Sequence, residues 1–220
     1  MSTTATLARI ELNLQSRAVQ RDLRDPTQMH RTLMRLIPNH LGDNPRHSTG
    51  LLYRLDETEH ASTLLAQAAV PAVLLDPARL PDGYGRPHIK SLAPMFTALR
   101  KGLPVRYRIT VSPTKCERHP TPGDRGRGKI TPLTGPAADE WWTRRATDAG
   151  LQLTTVLPTP QRPVSRHGKE TGTVRHCLIR YDGTATITDP TALTNALLAG
   201  IGRGKPYGAG LLSLAPAHTP

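Results

Sequence analysis

The chain is 220 residues long and carries 29 Lys and Arg against 17 Asp and Glu, a formal net charge of +12. That exceeds the ~2–8 charges that keep a small domain soluble, so it points to a polyanionic partner, nucleic acid or an anionic membrane. Two cysteines are too few for a secreted disulfide scaffold, no run approaches ~18 apolar residues, and the start MSTTATLARIELNL lacks a basic segment leading into an apolar one, so a soluble cytoplasmic protein is expected.

In chain order, residues 6–14 alternate apolar and polar side chains and predict a strand. Residues 26–37 place Met29, Leu33, Leu36 and Ile37 at helical spacing, with Asp25 as N-cap, Pro26 at the first helical position and Pro38 as the stop. Strands are predicted at 51–57 and 63–70, a helix at 91–102 closed by Gly102, and a strand at 104–113. The order β-α-β-β-α-β is the ferredoxin-like arrangement.

The stretch CERHPTPGDRGRGK (116–129) interrupts the pattern as a basic, Pro- and Gly-rich linker. KITPL then resumes it, followed by a helix over 136–150 and strands at 151–157 and 173–188, the latter a hairpin turning at Asp182-Gly183. A helix over 190–199 leads through a glycine-rich loop into a last strand, 211–215. The predicted fold is α+β, two tandem ferredoxin-like (RRM-like) βαββαβ domains, residues 1–114 and 129–220, joined by a basic linker, 115–128.

Three motifs carry candidate chemistry. GDRGRGKI (123–130) has the spacing of a phosphate-binding loop, but Ile130 stands where magnesium needs Ser or Thr, so it reads as a basic loop and a nucleotide-binding enzyme is only a rival. Cys116 and His119 with His176 and Cys177 do not make a metal quartet, since adjacent strand residues point to opposite faces; no metal or other cofactor is expected. In the C-terminal loop, Gly200, Gly202, Gly204, Gly208 and Gly210 surround Arg203, Lys205 and Tyr207. That spacing fails the dinucleotide template and follows a helix instead of a strand, which leaves an anion nest with two cations, or a tight connection whose glycines serve positive φ. Aromatic residues are only 4% of the chain, so a nucleic-acid partner would be held by phosphates and helical shape more than by base stacking. His30, on the first helix, is the residue type suited to moving protons near neutral pH, although a lone helical histidine is ordinarily just a surface side chain.

MHRTLMRLIP (29–38) and GIGRGKPYGAGLLSLAP (200–216), with LLYRLDE, VRYRITVSPTK and GKITPL in order between them, resemble the CasE family, the repeat-RNA-processing endoribonucleases of the CRISPR Cascade complex. The resemblance implies metal-independent cleavage of a CRISPR repeat at the base of its stem-loop, a 2′,3′-cyclic phosphate product, retention of that product, and assembly with other Cascade subunits. No DNA contact by this chain itself is implied. The catalytic His falls on His30. A Tyr one turn earlier is replaced here by Thr27, which keeps alive a catalytically silent RNA-binding subunit of the same fold. Arg35 becomes a candidate for stabilising the phosphorane. Arg31, Lys115, Arg125, Arg127, Lys129, Arg203, Lys205 and Tyr207 become RNA contacts, as do Arg162, Arg166 and Lys169 on a basic hairpin at 160–170.

Overall fold

A computed structural model describes residues 4–37, 49–59, 61–72, 75–117, 129–168 and 172–217. Its first half contains β1 (Thr6–Leu12), α1 (Arg17–Arg24), α2 (Pro26–Met34), β2 (Leu52–Glu57), β3 (Ser62–Ala68) and β4 (Gly85–Ser91). These strands form one antiparallel sheet in the order β2-β3-β1-β4, the ferredoxin-like order. Ala8, Ile10 and Leu12 of β1 point inward and Arg9 outward, so a single alternation puts the core on the helical side. Met29 and Leu33 of α2 close that core with Leu64 and Tyr84. The Asp22 carboxylate on α1 is fully buried and accepts from Tyr84 Oη at 2.9 Å and from Arg21, tying α1 to the loop before β4. Burial, first, and then that carboxylate push the Tyr84 phenol far above its ordinary pKa.

After a short α3 (Ala93–Ala98), the second half begins with β5 (Pro104–Val111), β6 (Thr114–Glu117) and β7 (Lys129–Pro132). It continues through α4 (Pro136–Asp148), β8 (Leu151–Leu153), β9 (Leu157–Pro160), β10 (Val164–Gly168), β11 (Gly172–His176), β12 (Ile179–Ile187), α5 (Pro190–Ala199) and β13 (Ser213–Pro216). The sheet order β13-β5-β12-β8, with β9 also paired to β12, repeats the ferredoxin-like order. Trp142 is fully buried between the rings of Tyr107 and Tyr181, at 5.6 and 5.8 Å. β10 and β11 form a separate two-stranded ladder between β9 and β12. No helix among the described residues is long and apolar enough to cross a membrane.

Several elements differ from expectation. The strand at 104–113 was expected to close the first sheet; it is instead the first strand of the second, paired along β12 from Val111↔Ile179 to Pro104↔Thr186. The closing strand of the first sheet is β4, whose sequence GRPHIKS hides its nature: as an exposed edge strand it tolerates Pro87 and presents Arg86, His88 and Lys90 to solvent. Asp182-Gly183 lies within the continuous β12 and does not turn a hairpin. Gly183 is needed because a Cβ there would fall 2.1 Å from the Thr155 carbonyl oxygen. α2 also ends at Met34, with Leu36 and Ile37 buried in a tighter turn bonded to Leu33 and Met34 carbonyls. The β6–β7 ladder brackets residues 118–128, which lie outside the described residues and include the phosphate-loop-like run through 128.

The two halves meet through donors on β2 and β3. Arg54, 3% exposed, binds Asp56 through Nε and Nη2 at 2.8 and 3.0 Å. Its Nη1 is shared among Ser213 Oγ, Arg108 O and Leu211 O at 2.9, 3.2 and 3.3 Å. Gln67 donates to Leu197 O at 2.6 Å and Tyr53 Oη to Pro206 O at 2.9 Å. Because breaking a buried ion pair leaves its partner charge unmatched, Arg54→Met is expected to cost about 3 kcal/mol. Urea denaturation reads this as a lowered midpoint, and an unchanged midpoint would exclude the clamp.

Candidate active site

α2 positions the first candidates. Asp25 accepts the Thr27 amide hydrogen at 2.8 Å, Pro26 occupies the first helical position, and Met29 and Leu33 face the core. Thr27 and His30, three residues apart, therefore neighbour each other outside the core face, both half-buried, with Arg31 exposed beside them. Arg35 is exposed at the helix C-cap, about 140° around the axis from His30.

The glycine-rich loop lies against this helix. Gly204 and Gly208, both left-handed at φ of 78° and 83°, bracket a 3-10 turn over Lys205–Tyr207 that packs on α2 and β2. A Cβ at Gly200 would meet Leu52 at 2.6 Å, at Gly202 Trp141 at 2.9 Å, and at Gly208 Tyr53 at 3.2 Å. These glycines, with Gly210 at φ 91°, let the chain pass tightly between both domains. The loop's outward chemistry lies in side chains: exposed Arg203 and half-buried Lys205 and Tyr207.

α1 and α2, the outer edge of β2, and the segment entering the β10–β11 hairpin enclose a cleft of about 1050 Å³. It brings together Thr27, Arg162, Tyr207 and Gly208, which come from three distant parts of the sequence. Asp22 and Asp25 also line it, yet their carboxylates are engaged with Tyr84 and the helix cap. His30 and Arg31, although on the same helix as cleft-lining Thr27, do not line the cleft, nor do Arg35, Lys115, Arg203 and Lys205; Lys115 is exposed on β6. Lys129 and Arg166 are placed by their backbones on β7 and β10, and Arg125, Arg127 and Lys169 lie outside the described residues.

Sequence reasoning missed the partner of Tyr207. The His176 ring sits 4.7 Å from the Tyr207 ring at 31°, over Gly204 and opposite cleft-lining Val164 across the hairpin. Burial lowers its pKa, and nearby Arg203 lowers it further. The available signal was its place at the returning end of the hairpin. Tyr53 and Arg54, read only as strand residues, supply the clamp beneath the cleft.

The family described as "CRISPR associated protein" matches residues 7–216. The chain is 31% identical to the CRISPR-associated endoribonuclease Cse3 of Thermus thermophilus, over 96% of this chain and 99% of that protein. The chain belongs to this CasE/Cse3 family. It is 28% identical to the CRISPR system Cascade subunit CasE of Escherichia coli, over 88% of this chain and 93% of that one. A structure of Thermus thermophilus Cse3 bound to an RNA representing a pre-cleavage complex matches with a TM-score of 0.79 at 27% identity, covering 97% of this chain and 100% of that one. The double ferredoxin-like architecture is thus shared with CasE/Cse3 relatives across nearly the whole chain.

The lowered pKa of His176 makes stability pH-dependent. Below the ordinary imidazole value of 6.5, the unfolded chain binds a proton that the folded one resists, so wild-type stability falls as pH drops. His176→Gln is expected to flatten that loss between about pH 7 and about pH 5 in thermal melts; equal losses in both proteins would exclude the effect.

Proposed function

We propose that this CasE/Cse3 member is an endoribonuclease that cleaves CRISPR repeat RNA at the base of its stem-loop and keeps the product as a subunit of a cytoplasmic Cascade complex. The observation that carries this reading is the cleft in which α2, the glycine-rich turn and the base of a basic hairpin converge. A relative of the same fold has been captured on a pre-cleavage RNA, and another is a Cascade subunit.

Cleavage proceeds without metal. The ribose 2′-oxygen attacks the adjacent phosphorus and the P–O5′ bond breaks, leaving a 2′,3′-cyclic phosphate. The His30 imidazole carries the proton, either taking it from the 2′-hydroxyl or delivering it to the 5′-oxygen. Arg162, at the cleft wall, binds the phosphate backbone, as do Arg31 and Lys205, and Arg35 is the candidate for stabilising charge on the phosphorane. The domains divide in function as in sequence: the N-terminal one carries His30, and the C-terminal one grips the RNA through hairpin and loop. Thr27 favours a second reading, an RNA-binding subunit that does not cut, because an aliphatic hydroxyl is a poor proton carrier at neutral pH.

Single-turnover cleavage of a cognate repeat RNA in EDTA tests this. His30→Ala is expected to slow cleavage by about 10²–10⁴-fold while binding to a 2′-deoxy repeat persists. Unchanged cleavage by the variant or strict dependence on magnesium would overturn the mechanism, and tight binding without cleavage by the wild type would select the second reading. Arg162→Ala is expected to weaken binding and reduce the salt slope by about one phosphate contact, and an unchanged slope would remove Arg162 from the interface.

A further inference from the structure

Two phenols line the cleft, and they differ in what their hydroxyls do. Tyr53 Oη is spent on the Pro206 carbonyl and so holds the 3-10 turn in place. Tyr207, on that same turn, makes no hydrogen bond through its hydroxyl to any described residue, although its ring is held on several sides. Gly204 and Gly208 bracket it, its amide donates to Gly204 O at 2.8 Å, and the His176 ring packs on it at 4.7 Å. The turn packs on α2, whose Thr27 lines the same cleft one helical turn before His30.

A phosphate under attack by the 2′-oxygen gathers negative charge on its non-bridging oxygens, and a fixed donor aimed there stabilises the transition state without reorganising. The other strong donors at the cleft are less suited. The Arg54 guanidinium is committed to Asp56 and three acceptors of the second domain, while Arg24 and Arg162 are exposed, long side chains. We propose that the Tyr207 hydroxyl donates a hydrogen bond to a non-bridging oxygen of the scissile phosphate, an assignment that rests on the cleavage reaction proposed above. In the step, the 2′-oxygen–phosphorus bond forms as the P–O5′ bond breaks. His30 either takes the 2′ proton or supplies the one the 5′-oxygen gains, water exchanges the other, and Tyr207 keeps its own throughout. The His176 ring holds the phenol at its post and is a positioning residue.

Tyr207→Phe keeps the ring and removes only the donor. Single-turnover cleavage in EDTA is expected to slow at least tenfold, with affinity for a 2′-deoxy repeat RNA within twofold of wild type. A phosphorothioate at the scissile position gives a readout that ring packing alone would not move. One diastereomer should slow the wild type, because sulfur accepts hydrogen bonds poorly, and that extra slowing should disappear in Tyr207→Phe. A wild-type rate in the variant, or the same sulfur effect in both proteins, overturns the contact while leaving the cleavage reaction standing. A wild type that does not cleave in EDTA overturns the cleavage reaction and the contact with it.

Discussion

Everything at the candidate site depends on the Arg54 guanidinium and the carbonyls it meets. Its side chain leaves the edge strand β2, pairs with Asp56, and reaches the backbone of β5 and the segment entering β13. A buried guanidinium needs its donors satisfied, and here Asp56 of the same strand takes Nε and Nη2 while the acceptors of Nη1 come from the other domain. The relative placement of the domains is therefore set by hydrogen-bond geometry, with Gln67 to Leu197 as a second fixed point. Arg108, between Asp56 and Asp182, extends the ionic network across the same seam.

The glycine-rich loop is the consequence of that seam. It has to leave α5, pass Leu52 and Tyr53 of the first domain and Trp141 of the second, and enter β13. Side chains at these points would collide, so the glycines are a packing requirement before they are anything else. Because the loop is pressed onto β2 and α2, the residues it carries outward are held against the helix of His30. Proximity of this kind, between groups about 175 positions apart in the chain, is what pre-organised catalysis asks of a fold.

Charge tells a less uniform story than composition. The +12 net charge predicts a basic binding surface, yet the cleft itself contains Asp22, Asp25 and Glu57 beside Arg24, Arg54 and Arg162. Much of this charge is internally matched: Asp22 with Arg21 and Tyr84, Arg54 with Asp56. Further positive charge stands along the exposed strand β4, where Arg86, His88 and Lys90 alternate outward. Long-range attraction of a polyanion belongs to such outward charge, and local chemistry to the few residues inside.

Local signals in the sequence were sufficient wherever the physics was local. Asp25-Pro26 and Asp189-Pro190 each begin a helix through a cap bonded within three residues, and the alternation of PVRYRITV makes a strand in any setting. The α+β class, the His30 helix and the glycine-rich loop were legible for the same reason. α1 was not, since only Val19 and Asp22 of its eight residues are buried, nor was β4, whose polar edge carries no strand signal. The sheet that β5 joins, the continuity of β12 through Gly183, and the meeting of Tyr207 with His176 were decided only by the tertiary structure. Pairing partners and side-chain encounters depend on residues tens of positions away, and no local pattern encodes which of several compatible strands or rings will be brought alongside.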